Sequence, residues 1–126
     1  MKTCITLLGI AAVLSACNTA PEQLPKPDLA GEWDAHLAYK GKPYVVIGRF
    51  RSNGTYDAFI DGKLVVSGQY RTLGDSAYFR DGNCNQEYEG LYKLTYTKDS
   101  VRFDVLQDTC QERINGSNGL AMKRVK

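Results

Sequence analysis

The 126 residues include a single histidine, a single tryptophan and two methionines, and that scarcity narrows the chemistry available. His36 is the only imidazole. In an extended chain it is out of phase with Trp33, Leu37 and Tyr39, so it is expected on the solvent face, out of reach of any nucleophile it would have to activate. No phosphate-binding glycine loop, zinc motif or calcium loop is present. No cofactor or metal is therefore expected, and nothing supports an enzyme. Basic residues form no run and the formal net charge is only +2, which leaves no electrostatic footprint for nucleic acid. Stretches of helical period are missing as well, and the apolar run Ile5 to Val13 falls short of the roughly 20 residues a membrane-spanning helix needs.

What is there begins with an export signal. Lys2 supplies the positive start, Ile5 to Val13 the apolar stretch, and Leu14-Ser15-Ala16 the small residues a peptidase accepts. Leu14-Ser15-Ala16-Cys17 resembles the bacterial lipobox, in which the cysteine is lipidated and becomes the new amino terminus. The resemblance implies a signal peptide over 1–16, a lipid on Cys17, and attachment to a membrane in the cell envelope. Asn18, in place of aspartate, resembles lipoproteins sent on to the outer membrane. From 17 to 28 the chain is polar with Pro21, Pro25 and Pro27, a composition that favours an extended tether of about 30 Å at roughly 3.1 Å per residue.

Of the four cysteines, Cys4 would leave with the signal and Cys17 would carry the lipid. Cys84 and Cys110 remain, in an oxidising compartment where a disulfide is the expected state. A two-thiol metal site lacks further ligands.

From Gly31 onward short alternating runs are separated by turn residues, and eight strands are predicted near 31–39, 43–51, 55–60, 64–72, 75–80, 89–97, 100–107 and 120–125. Registers follow from matching apolar faces across the turns, because a slip of one residue inverts a strand. Around Lys98-Asp99, Thr97 faces Ser100. Tyr96 then meets Val101, Leu94 meets Phe103 and Tyr92 meets Val105 on one side, while Lys93 meets Asp104 on the other. Three-residue loops likewise place Phe50 against Tyr56, Val46 against Ile60, Ile60 against Leu64 and Ala58 against Val66. Eight antiparallel strands with one apolar face each are best closed into an all-β up-and-down barrel over 29–126, which hides the face and removes the edges. A two-sheet sandwich is the alternative.

Gly31-Glu32-Trp33 at the head of such a meander resembles the signature of lipocalins and the wider calycin group. Gly90-Leu91-Tyr92 and Asp108-Thr109-Cys110-Gln111-Glu112-Arg113 are similar to segments of bacterial lipocalin-like lipoproteins with one disulfide. The resemblance implies that Trp33 plugs the narrow end of the barrel under a basic side chain of the last strand, for which Arg124 is the residue available, with Gly31 beside it. A core tryptophan and a solvated Arg124 are the plainer account.

The longer connections, 40–43, 61–63, 81–88 and 108–119, all fall at the opposite end, which is thus the mouth. A Cys84–Cys110 bond would staple two of them. Asp61, Glu87, Glu89 and Asp108 lie toward that end and are expected to be solvated. Tyr39, Tyr44, Ile60, Leu64, Phe79 and Tyr92 are inward by parity and nearest the mouth. They are the candidate lining of a cup for a small hydrophobic or amphipathic ligand, or they simply fill the interior. A second reading is a protein partner, such as a lysozyme or protease, blocked by the mouth loops over 82–87 and 111–118; a third is a purely structural envelope protein. The carrier requires an open cavity, the inhibitor a filled barrel with a rigid loop.

Overall fold

The computed structural model describes residues 27–126. The expected signal over 1–16, the expected lipidation at Cys17 and all but the last two residues of the expected tether over 17–28 lie outside the described residues. The elements run β1 (Gly31–Tyr39), β2 (Lys42–Phe50), β3 (Thr55–Ile60), β4 (Lys63–Leu73), β5 (Ser76–Asp81), β6 (Gly90–Thr97), β7 (Ser100–Gln107), α1 (Gln111–Ser117) and β8 (Leu120–Arg124). All neighbours in sequence pair antiparallel, and β8 returns to β1, so the eight strands form one closed up-and-down barrel rather than a sandwich. The closing seam is short. β1 and β8 face each other only at Trp33 with Arg124 and Asp34 with Lys123.

Alternation of side chains dictates the register, as the facing pairs make plain. Leu94 faces Phe103, Tyr96 faces Val101 and Tyr92 faces Val105 on the inner side of β6 and β7, while Lys93 faces Asp104 outside. Phe50 faces Tyr56 and Val46 faces Ile60 across β2 and β3. Between β3 and β4 the expected register is corrected: Ile60 faces Lys63, and Leu64 faces Phe59. The turn has two residues, not three. Asp61 and Gly62 both take positive φ, 49° and 82°, the backbone of the hairpin turn whose twist suits two adjoining strands. Val65 is then the extra residue of a bulge, after which Val66 faces Ala58 as the apolar pattern requires.

α1 is a second departure, since 108–119 reads as a plain connection. Seven residues are too few for a periodic signal. The helix is held by what surrounds it: Cys110 at its head is tied to Cys84, and Arg113 in its first turn is buried among carboxylates.

Inside, the barrel divides into two zones. At the end where β1 begins, Trp33, Leu94 and Val101 are packed in the core. Halfway up lies an aromatic layer. Phe50, Tyr56, Phe79 and Phe103 meet stacked, tilted or edge to face with centroids 5.6 to 6.2 Å apart, within the range in which aromatic pairs attract beyond their buried area. Above that layer the interior is open.

Candidate ligand cavity and its polar wall

The aromatic layer is the floor of a cavity of about 530 Å³ that opens at the mouth, within the size range of small-molecule sites. Leu37, Tyr44, Val46, Ile60, Val65 and Val66 line its sides from β1 to β4, and α1 with the residues leading into β8 forms the remaining wall. The lining is thus apolar on one side and polar on the other.

The polar side is built around Arg113. Its Nε and Nη2 donate to the two oxygens of Asp108 at 2.7 and 2.8 Å, and its Nη1 donates to Asp81 Oδ2 at 2.8 Å. These three side chains are almost fully buried, with 5%, 0% and 3% of their surface exposed for Arg113, Asp108 and Asp81. Both carboxylates have further partners. Tyr56 Oη donates to Asp81 Oδ2, the Asn83 N–H to Asp81 Oδ1, Tyr92 Oη to Asp108 Oδ2 and the Cys110 N–H to Asp108 Oδ1. No buried side-chain polar atom among the described residues lacks a partner, as a charge taken out of water requires.

Electrostatics follow from this packing. Burial pushes the Asp108 carboxyl up, but Arg113, the Cys110 N–H and the Tyr92 hydroxyl outweigh it and hold the group below the usual aspartate range. Burial likewise disfavours charge on Arg113, and Asp108 and Asp81 reverse the effect and hold the guanidinium above its ordinary value. Burial, then Asp81, raises the Tyr56 phenol; burial, then the bond to Asp108, raises Tyr92. The cluster is two carboxylates around one guanidinium, a buried excess of negative charge.

The structure brings together some of the expected lining residues and separates others. Tyr44, Ile60 and Phe79 line the cavity. Tyr39 does not: it sits at the tip of the β1–β2 hairpin, 67% exposed. Leu64 is also outside it, because the two-residue turn and the bulge put it on the outer face, 58% exposed, and bring Val65 to the cavity instead. Tyr92 is fully buried in the wall, with its hydroxyl committed to Asp108. The expectation of a solvated Asp108 is overturned, since that carboxylate is completely covered. His36 is exposed on the outer wall, its Nε2 3.4 Å from Asp34 Oδ2.

Cys84 and Cys110 form a disulfide with Cα atoms 5.8 Å apart, tying the β5–β6 loop to the head of α1. At the closed end the Arg124 guanidinium lies 4.2 Å from the centre of the Trp33 ring, whose Nε1 donates to the Leu29 carbonyl at 2.8 Å. Arg124 also donates to the carbonyls of Ala30 and Asp28. Gly31 leaves room for it, because a β-carbon there would fall 2.5 Å from Arg124 Nη1.

Comparison of the chain with protein-family models, with curated proteins and with solved structures finds no match in any of the three.

Two residues of the polar wall carry little signal in the sequence. Asp81 continues the inward parity of Ala77 and Phe79, and that parity is the clue to its burial, but a carboxylate ending a strand beside a loop reads as solvated. Arg113 sits in a polar connection where a basic side chain is ordinary. Only the fold shows that each answers the other across 32 residues. Among the described residues no group of three or more histidine, cysteine or acidic side chains is placed to hold a metal ion.

Proposed function

We propose that the barrel is a cup for one small hydrophobic or amphipathic molecule, carried by a lipid-anchored, lipocalin-like lipoprotein of the cell envelope. The observation that carries the reading is the open, apolar-sided cavity above the aromatic floor. Burying a ligand's apolar surface there gains roughly 25 cal/mol per Å² removed from water. The lipidation reading rests on Leu14-Ser15-Ala16-Cys17, and the lipocalin-like reading on Gly31-Glu32-Trp33 with Arg124 over the indole at the closed end. The chain enters the barrel at that end, where Arg124 holds Asp28 and Ala30. A tether attached there leaves the mouth at the far end, free to receive a ligand.

One observation favours a second reading, a protein partner. The Cys84–Cys110 bond stiffens the β5–β6 loop and the head of α1, as a loop that blocks an enzyme's cleft needs to be. That role has no use for a cavity.

The test uses residues 27–126. All strands are paired within this segment and the disulfide is internal to it. Native mass spectra and melting curves are taken before and after extraction with organic solvent. A co-purified small molecule whose removal lowers the melting temperature supports the cup, since a ligand at 100 times its Kd stabilises by about 2.7 kcal/mol. Identical spectra and melting curves, with tight binding to a lysozyme or protease, would favour the inhibitor.

A further inference from the structure

We propose that the cup selects an amphiphile with a cationic head and an apolar tail, and discriminates against the corresponding fatty-acid anion. The inference rests on the cup reading above and adds the sign of the head group. It follows from the charges that face the cavity. Asp81, Glu112 and Arg113 are the ionisable acid and base side chains of the lining, and no lysine joins them. Arg113 looks like a natural partner for a carboxylate, but its charge is already committed. Three of its N–H groups go to Asp81 and Asp108, so the cluster of three carries one net negative charge. Glu112, exposed at the cavity rim in the first turn of α1, adds another.

Asp81 is part of the cavity wall, close enough for a ligand's head to feel its charge. It stands one inward step above Phe79, where the aromatic floor gives way to the polar wall. Its Oδ2 accepts from Tyr56 and Arg113, whereas its Oδ1 accepts only the Asn83 N–H, leaving acceptor capacity beside the cavity. A tail on the apolar side between Tyr44 and Val66 puts its head against this wall. An ammonium there offsets the excess negative charge and donates to carboxylate oxygen. A carboxylate there meets Asp81 and Glu112, and the one cation of the lining, Arg113, is already engaged; Lys42 and Lys63 share the inward face only at the rim, beyond Tyr44 and Ile60. In a recess of effective dielectric near 20, charges a few ångströms apart separate the two head signs by on the order of tenfold or more in affinity.

The test compares three ligands of one chain length on solvent-extracted barrel 27–126 at pH 7 and low salt: protonated dodecylamine, dodecanol and dodecanoate, with affinities from calorimetry. The expected order is dodecylammonium tightest and dodecanoate weakest, about tenfold or more apart. Glu112→Lys, at an exposed helix position, should collapse that preference by a similar factor while its melting curve shows the barrel folded. Dodecanoate binding as tightly as dodecylammonium, or a preference untouched by Glu112→Lys, overturns the head-group assignment and leaves the cup standing. Binding of none of the three overturns the cup, and the assignment with it.

Discussion

The carboxylate of Asp108 packs flat on the backbone of Gly90: a β-carbon at residue 90 would lie 2.5 Å from Asp108 Cγ. Gly90 opens β6 at the mouth and is itself buried, so the carboxylate has no room to step aside. It is pinned between Gly90 below and Arg113, Tyr92 and the Cys110 N–H around it. A missing side chain on one strand thus lets an acid on the next connection anchor the helix that walls the cavity.

Gly90→Ala should therefore destabilise the barrel although it adds a single methyl group. Overpacking of a close-fitted site costs about 1 to 3 kcal/mol, and here the displaced atoms belong to a buried charge. Gly116→Ala, in α1 with open space at its Cα, is the control and should leave stability unchanged or slightly raised. Denaturant melts of the two variants check the contrast; equal midpoints would show that the contact with Asp108 does not matter.

Acid should loosen the same site. Asp108 has a folded-state pKa below the ordinary 3.8, so its stabilising contribution is complete above that value. It is lost as the pH falls from there through the depressed folded value. The melting temperature is expected to be nearly flat from neutrality to about pH 5 and to drop below about pH 4. Asp57, held low by Ser67 and Arg51, and Glu89, held low by Arg71, act in the same direction. Both belong to exposed pairs, where screening leaves little stability to lose. A double variant Asp57→Asn, Glu89→Gln should hence keep most of the acid limb, and its disappearance would assign the limb to the surface.

Arg113→Met gives the opposite slope. Removing the cation strands Asp81 and Asp108 together in the wall, a loss of roughly 3 to 5 kcal/mol for one partner of a buried ionic network. With the guanidinium gone, the burial that pushes the Asp108 carboxyl up is no longer outweighed by its main partner, so the folded variant favours protonation there. The variant then gains stability as the pH falls into the acidic range, where the native protein starts to lose it. Melting temperatures of both proteins between pH 7 and 4 should converge; parallel curves would mean that the two carboxylates are not held by Arg113.

The barrel was legible in the sequence because its information is local and repeated. Leu94 with Phe103, and Lys93 with Asp104, are pairs that any reader of period-two alternation across a two-residue turn arrives at. The same logic failed at Ile60 and Leu64. Matching apolar to apolar favoured a three-residue turn, whereas the chain uses the left-handed backbone of Asp61-Gly62 and corrects the phase with a bulge at Val65. No single strand announces a bulge. The polar wall was illegible for another reason: Asp81, Asp108 and Arg113 are ordinary surface residue types, and only their convergence inside the barrel removes them from water. The pairing of Cys84 with Cys110 is legible from the cysteine count alone, which needs no geometry.

Breaking the Cys84–Cys110 bond should cost about as much as breaking the ion cluster, and more than a surface change. The bond spans 26 residues, for which the chain-entropy account gives about 3.5 kcal/mol. Cys84→Ser with Cys110→Ser should keep the barrel, whose strands pair independently of it, and lower the urea midpoint accordingly. The effect on ligand affinity should be larger than the effect on barrel circular dichroism, because Cys110 immediately precedes α1, which walls the cavity. Unchanged affinity at reduced stability would show that α1 stays in place through Arg113 alone.

Fluorescence can report which end of the barrel a ligand occupies. Trp33 is the single tryptophan, 1% exposed, covered by Arg124 and not among the residues lining the cavity. Its emission should be blue, resistant to quenching by acrylamide, and unmoved when dodecylammonium or any other cup ligand binds. Tyr44 lines the cavity and is half-buried, so Tyr44→Trp places a second indole where the ligand displaces water. In that variant the added emission should shift to the blue on binding, with a titration midpoint equal to the calorimetric one. A ligand that shifts Trp33 and leaves the indole at residue 44 unchanged would locate the binding site at the closed end and remove the cavity from consideration.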